Sequence, residues 1–203
     1  MNTGRRACCI LVYFGHFNCY FQQWLNSCAI NKPIDWLIVT DDKSQFYLPQ
    51  NARLIYTGFK AVQDKIHSIW GRNVRIETPY DLCVYRVAYH RIFPELITGY
   101  DYWGFCDCDL IWGNISVAIE EPMQNGFDKI SWRGHFTLFR NDETINDVYT
   151  KEVDGIYSFR DAISRTPKNH LNLFDEVGIN LLFDHYGLKT YKGLLFANLK
   201  VKY

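Results

Sequence analysis

The chain has 203 residues, with 48% hydrophobic and 22% charged, a composition that excludes a disordered segment and fits one domain, 1–203, with a sizeable core. Lys and Arg number 22 and Asp and Glu 22, so the basic surplus that neutralises phosphates in nucleic-acid binders is missing, and no nucleic-acid partner is expected. No apolar run approaches the length of a membrane span, so no transmembrane segment is expected. Seven cysteines, an odd number without a CxxC pair, read as free thiols and point to a cytoplasmic protein. Cys106 and Cys108 remain an alternative pair of metal ligands on the two sides of Asp107.

In chain order, Arg5-Arg6 and the apolar run behind them resemble the start of a signal peptide, but the run is short and no small-x-small cleavage site follows. Cys8 to Phe14 reads instead as a strand buried on both sides. Asn18 is a candidate cap for a helix in which Tyr20, Phe21, Trp24, Leu25 and Cys28 recur at helical spacing. Trp36 to Thr40 is a second apolar strand, with Asp41-Asp42 just past its end, and Arg53 to Tyr56 a third. Phe59, Val62, Ile66 and Ile69 fit a helix that stops at Gly71. Leu82, Tyr85, Tyr89, Ile92 and Phe93 fit another, entered through Pro79 and left at Pro94. Tyr102 to Cys106 is the next strand. Lys129 to Trp132 and Phe136 to Arg140 read as short strands, Val177 to Tyr186 as a helix, and Gly187 to Tyr203 as strand-like pieces. Alternation of this kind predicts an α/β fold: a mainly parallel sheet with helices on both faces.

The central motif is Tyr102-Trp103-Gly104-Phe105-Cys106-Asp107-Cys108-Asp109. Ligands of open α/β sheets bind outside the carboxyl ends of strands, and this motif puts two carboxylates there. They repel each other unless a cation lies between them. Mn²⁺ or Mg²⁺ accepts one or two carboxylates and completes its shell with water and substrate phosphates, so Asp107 and Asp109 are the candidate metal ligands. An ordinary polar turn is the alternative. Asp41 and Asp42 belong on the same rim, where a carboxylate can accept hydrogen bonds from a base or ribose; turn chemistry is again the alternative. Asp175 and Glu176 precede a helix, where the dipole favours acidic residues, and Asp175 is the candidate catalytic group that activates an acceptor hydroxyl. Arg133-Gly134-His135 combines a cation, a glycine and a proton carrier in a loop before a strand.

These segments together resemble DUF6625, a family of bacterial glycosyltransferase-like proteins. The matching stretches are Val12 to Gly15, Tyr20 to Cys28, Thr40 to Asp42, Pro79 to Cys83, Tyr102 to Asp109, Arg133 to Leu138 and Phe174 to Glu176, in the expected order over nearly the whole chain. The resemblance implies a GT-A-like, Rossmann-like fold. Its Asp-x-Asp pair binds a divalent metal and a nucleoside diphosphate sugar. It assigns donor binding to Tyr13, Phe14, Gly15, Asp41, Asp42, Asp107 and Asp109, and Arg133 and His135 lie in a further matching stretch counted with the donor site. Members usually carry Lys where Asp81 stands and an acidic, Lys and Pro pattern where Val84, Arg86 and Val87 stand. Arg86 can still pair with a phosphate, because guanidinium suits that geometry. Relatives continue past Tyr203, which implies a chain truncated at its C-terminus.

The expected activity is sugar transfer to a glycan or lipid-linked acceptor in surface polysaccharide synthesis, with a peripheral position at the inner membrane face. Two rivals stand beside it. A non-catalytic nucleotide-sugar-binding paralogue would bind donor without transfer. An Asp-nucleophile phosphohydrolase would carry Asp-x-Asp near its N-terminus with Thr or Val two residues later; here the motif is mid-chain and Ile111 takes that place.

Overall fold

The structure is a computed structural model that describes residues 6–164, 173–194 and 196–197. Seven strands among these residues form one sheet: β1 (Ala7–Tyr13), β2 (Ile34–Thr40), β3 (Ala52–Tyr56), β4 (Tyr102–Cys106), β5 (Lys129–Arg133), β6 (Phe136–Arg140) and β7 (Thr190–Tyr191), in the order β3-β2-β1-β4-β6-β5-β7. β3, β2, β1 and β4 pair in parallel, β6 runs antiparallel to β4 and to β5, and β7 is parallel to β5. The sheet is mainly parallel, as its apolar runs require. Cys8, Ile10, Leu37, Val39, Trp103 and Phe105 face one hydrophobic cluster, and Cys9, Leu11, Trp36, Ile38, Tyr102 and Cys106 face another. Strands covered on both faces have no polar side to show, so each reads as an unbroken apolar run.

The helices that cover the sheet are α1 (Phe21–Cys28), α2 (Phe59–Trp70), the short α3 (Leu82–Tyr85), α4 (Tyr89–Ile92) and α5 (Pro94–Ile97), then α6 (Ile115–Gln124), α7 (Glu143–Asn146), α8 (Phe159–Ile163) and α9 (Ile179–His185). No helix among the described residues is long and apolar enough to cross a membrane.

Several boundaries differ from the sequence expectations for definable reasons. α1 starts at Phe21, and the Asn18 side chain accepts from the Tyr20 N–H, so it closes the turn ahead of the helix instead of capping it. The expected helix over Leu82 to Phe93 is split by a 3₁₀ turn at Arg86–Ala88, which tightens the winding and takes Arg86 out of the 3.6-residue register. α6 escapes the pattern because Pro122 lies inside it and reads as a stop. α9 is preceded by a π turn, Phe174–Gly178, where a helix from Val177 was expected. Of the strand-like stretch Gly187 to Tyr203, Thr190–Tyr191 is a strand, and residues 195 and 198–203 lie outside the described residues.

Strand direction decides where the site can be. β1, β2 and β4 share one carboxyl rim, and the β1–β4 register pairs Ile10 with Phe105, so Asp107 emerges level with Val12. The chain runs from β1 outward through β2 and β3 and returns to β4 on the other side of β1. That reversal opens a crevice at the carboxyl ends of β1 and β4.

Gly104 sits mid-strand in β4 opposite Leu138, where any Cβ would overlap the Thr137 carbonyl oxygen. Its absent side chain lets β6 close on β4 and fixes the hairpin beside the crevice. Gly104→Ala should cost about 1–3 kcal/mol and lower Tm by roughly 3–10 °C. An unchanged melting temperature would mean that β6 does not pack this closely.

Candidate active site

The β1 and β2 loops are tied together before any ligand arrives. Gly15, at φ +96°, donates its N–H to Asp41 Oδ1 at 2.8 Å. Asp42 is buried and accepts from the N–H of Phe17 at 2.8 Å, the N–H of Ser44 at 2.9 Å and the Ser44 hydroxyl at 2.6 Å, while His16 Nδ1 lies 3.3 Å away. Desolvation opposes its charge, but these hydrogen bonds, the Ser44 hydroxyl first, outweigh it and bring the carboxyl to about 2. The Tyr13 ring stacks on Phe17 at 4.5 Å, and Phe17 stacks on Phe21 at 3.6 Å. Asp42, expected as a donor-binding residue, spends its carboxylate on these loops and is turned away from the cavity.

At the end of β4 the backbone of Asp107 is pinned on two sides. Its N–H donates to the His135 carbonyl at 3.0 Å, and its own carbonyl accepts from the Trp24 indole N–H at 3.1 Å. The side chain meets Arg86, Nη2 to Oδ1 at 2.5 Å. Arg86 also donates from Nη1 to the Gly134 carbonyl at 3.0 Å and lies 3.8 Å from Asp175 Oδ2. One guanidinium therefore joins the segment after Pro79, the end of β4, the β5–β6 turn and the π turn. Burial raises the Asp107 carboxyl, Arg86 opposes that, and neighbouring Asp109 adds to it. Asp175, 6% exposed, is raised to about 7: burial is the largest cause, Arg86 opposes it and Glu176 adds.

Two irregularities stand at this point. Ser131 adopts φ +73° in a bulge where the β5–β6 register shifts between Ile130 and Arg133. The Leu173 carbonyl is approached by the N–H groups of Glu176, Val177 and Gly178 in the π turn, which carries Asp175 and Glu176. Bulges and π turns re-aim side chains at a cost in regular pairing, and here both bear on Arg86.

The residues enclose a cavity of about 580 Å³. Val12, Tyr13, Phe14 and Asn18 form its β1 wall, and Pro79, Tyr80, Cys83 and Arg86 a second. Asp107, Cys108 and Asp109 come from β4, and Leu173, Asp175 and Glu176 close it. A second cavity of about 810 Å³ shares Asp107 and Asp109 and is lined by Leu110, Ile111, Trp112, His135 and Phe196. The His135 ring packs edge-on against Phe196 at 4.2 Å. Burial pushes its pKa down, with Asp107 opposing.

Of the residues expected from sequence, Tyr13, Phe14, Arg86, Asp107, Asp109 and Asp175 thus meet in the first cavity. His135 faces the second. Gly15 and Asp41 hold the adjoining loop. Arg133 is exposed, lines neither cavity and lies over the Trp132 ring at 4.2 Å. Sequence reasoning missed Tyr80, Cys83 and Glu176 as lining residues. The stretches that contain them, Pro79 to Cys83 and Phe174 to Glu176, were singled out, but nothing in them marks which side chains face a cavity.

Asp107 and Asp109 offer hard oxygen ligands at the cavity mouth. No group of three His, Cys, Asp or Glu side chains that could hold a metal occurs among the described residues. A hard divalent cation held by these two carboxylates alone would share Asp107 with Arg86 and would have to complete its shell from phosphate and water.

Fold and site define a mainly parallel α/β protein with an acidic cavity at the topological switch point. Residues 9–203 match a family of unknown function (DUF6625), and the chain belongs to that family. No curated protein matches. Among solved structures, the apo form of mouse xyloside xylosyltransferase 1 is similar at 11% identity, over 92% of this chain and 77% of that one, with a TM-score of 0.44.

The raised carboxyl of Asp175 makes stability depend on pH. Its folded pKa, about 7, lies above the ordinary 3.8, so its contribution is fully present below pH 4 and is lost as pH rises through 7. Asp175→Asn removes that loss. Its stability relative to the natural chain should grow between pH 4.5 and pH 8 by up to about 2–4 kcal/mol, read from urea unfolding. A difference independent of pH would show that Asp175 is ionised throughout.

Proposed function

We propose that this protein is a glycosyltransferase that moves a sugar from a nucleoside diphosphate sugar to a glycan or lipid-linked acceptor, assisted by Mn²⁺ or Mg²⁺. The observation that carries this reading is the charge of the cavity. Four carboxylates (Asp107, Asp109, Asp175 and Glu176) and one guanidinium (Arg86) line it, at the rim where an open α/β sheet takes its ligands. A diphosphate brings further negative charge, and Arg86 already neutralises Asp107. Entry of such a ligand therefore calls for a divalent cation at Asp107 and Asp109. The ion would bridge the diphosphate and stabilise the charge left on it when the sugar departs.

The residues of the chain divide the remaining work. The β1 wall, with Tyr13 and Phe14 held by the Asp41 and Asp42 network, offers an aromatic surface for the nucleoside. Burial opposes the charge of Arg86, but Asp107 foremost and Asp175 with it outweigh burial, so Arg86, fixed at three points, would face the diphosphate as a permanent cation. Asp175 is the candidate to take the proton of the acceptor hydroxyl. A carboxyl raised to about 7 is a better base for that step than an ordinary one.

Thermal unfolding with a panel of nucleoside diphosphate sugars tests the reading. Donor at about a hundred times its Kd stabilises the fold by about 2.7 kcal/mol, which raises Tm by roughly 5–10 °C. The shift should require metal and donor together, vanish with EDTA and vanish in Asp109→Asn, a variant that still folds because its side chain is exposed. Equal shifts in both proteins, with and without EDTA, would reduce the two aspartates to a polar turn. A shift without transfer to any acceptor or to water would identify a binding protein.

A further inference from the structure

Glu176 lines the charged cavity beside Asp175 but differs from it in every contact. Asp175 is buried and faces Arg86. Glu176 is exposed, and among the described residues its carboxylate has no hydrogen-bond or ion-pair partner. Its position is nevertheless built. A Cβ at residue 134 would overlap Cγ, Cδ and Oε1 of Glu176, so Gly134 is the residue that leaves room for this side chain. The turn that contains Gly134 is itself fixed: its carbonyl accepts from Arg86 at 3.0 Å, and the Trp132 carbonyl accepts from Asn180 Nδ2 at 2.9 Å.

The sheet sets the order of these groups along the rim. β1 carries Tyr13, β4 next to it carries Asp107, and the turn before β6, next to β4, carries Gly134 with Glu176 against it. If the nucleoside lies on the β1 wall and the diphosphate at Asp107 and Arg86, the sugar at the far end of the donor meets Glu176. A carboxylate accepts hydrogen bonds from sugar hydroxyls and repels another carboxylate.

We infer that Glu176, cradled by Gly134, is a specificity-determining residue that admits a nucleoside diphosphate carrying a neutral sugar and rejects one carrying a uronic acid. This inference rests on the nucleotide-sugar reading above. Among the described residues that line the cavity, Arg86 is the one cation, and it is already paired with Asp107 and Asp175.

Matched donors test it by thermal shift in the presence of Mn²⁺: UDP-glucose against UDP-glucuronate, and GDP-mannose against GDP-mannuronate, with UDP and GDP alone as references. The natural chain should need roughly tenfold more uronate than neutral donor for the same shift. Glu176→Gln should close most of that gap, read as the ratio of uronate to neutral donor with each referred to the same variant's response to the free nucleotide. Gly134→Ala, which pushes the same carboxylate aside, should narrow it too. Equal affinity for both members of a pair in the natural chain, or a gap untouched by Glu176→Gln, overturns the inference while the nucleotide-sugar reading stands. No shift with any donor or nucleotide overturns that reading, and this one with it.

Discussion

The site depends on one side chain, the guanidinium of Arg86. It is largely withdrawn from water, and its charge is answered by Asp107 at 2.5 Å, by the Gly134 carbonyl at 3.0 Å and by Asp175 at 3.8 Å. Separating any of these from it leaves a charge or a polar group in a poorly hydrated place, which typically costs about 3–5 kcal/mol for a buried ion pair. Such a network adds little net stability compared with well-packed apolar residues. Its effect here is positional: four segments distant in sequence are held around one cavity. A lysine in its place would supply a point charge. Arginine supplies a planar fork that reaches several acceptors at once.

The sheet makes this network possible. Six strands run one way, so the loops after β1, β2 and β4 open on a common rim, and the reversal at β1 leaves the crevice there. The β1 and β2 loops are stiffened by Asp42, which holds four partners and stays ionised far below neutral pH. The opposite side is shaped by less regular backbone, the Ser131 bulge and the 174–178 π turn. A rigid wall faces one shaped by irregular backbone, an arrangement suited to a ligand with a constant end and a variable end.

The parts of the fold that were legible in sequence are those in which burial alone dictates residue type. β1, β2 and β4 are unbroken apolar runs and were found within two residues, as was α2 with its stop at Gly71, which adopts φ +86°. The rim positions of Asp107, Asp109 and Asp41 followed directly from those strands. Legibility failed where local backbone departs from regular winding. The 3₁₀ turn at Arg86–Ala88 hides in an apolar pattern that counts as helix, and Pro122 inside α6 reads as a terminator. The fate of Asp42 was hidden for a different reason: an Asp-Asp pair after a strand does not reveal which carboxylate turns inward. Glu176 was hidden because its setting is made by Gly134, forty-two residues away, a relation that exists only once β5 and β6 have paired.

As proposed, this acidic cavity takes a nucleoside diphosphate only together with a divalent ion at Asp107 and Asp109. Electron paramagnetic resonance of Mn²⁺ addresses it directly, because hexaaqua Mn²⁺ gives a sharp six-line signal that broadens when the ion is bound asymmetrically. With protein alone the signal should remain close to that of the free ion. With protein and the nucleoside diphosphate together it should collapse beyond the loss caused by the nucleotide itself, and Asp109→Asn should restore it. A signal that the protein leaves unchanged whether or not nucleotide is present, or one lost equally in Asp109→Asn, would mean that Asp107 and Asp109 hold no ion.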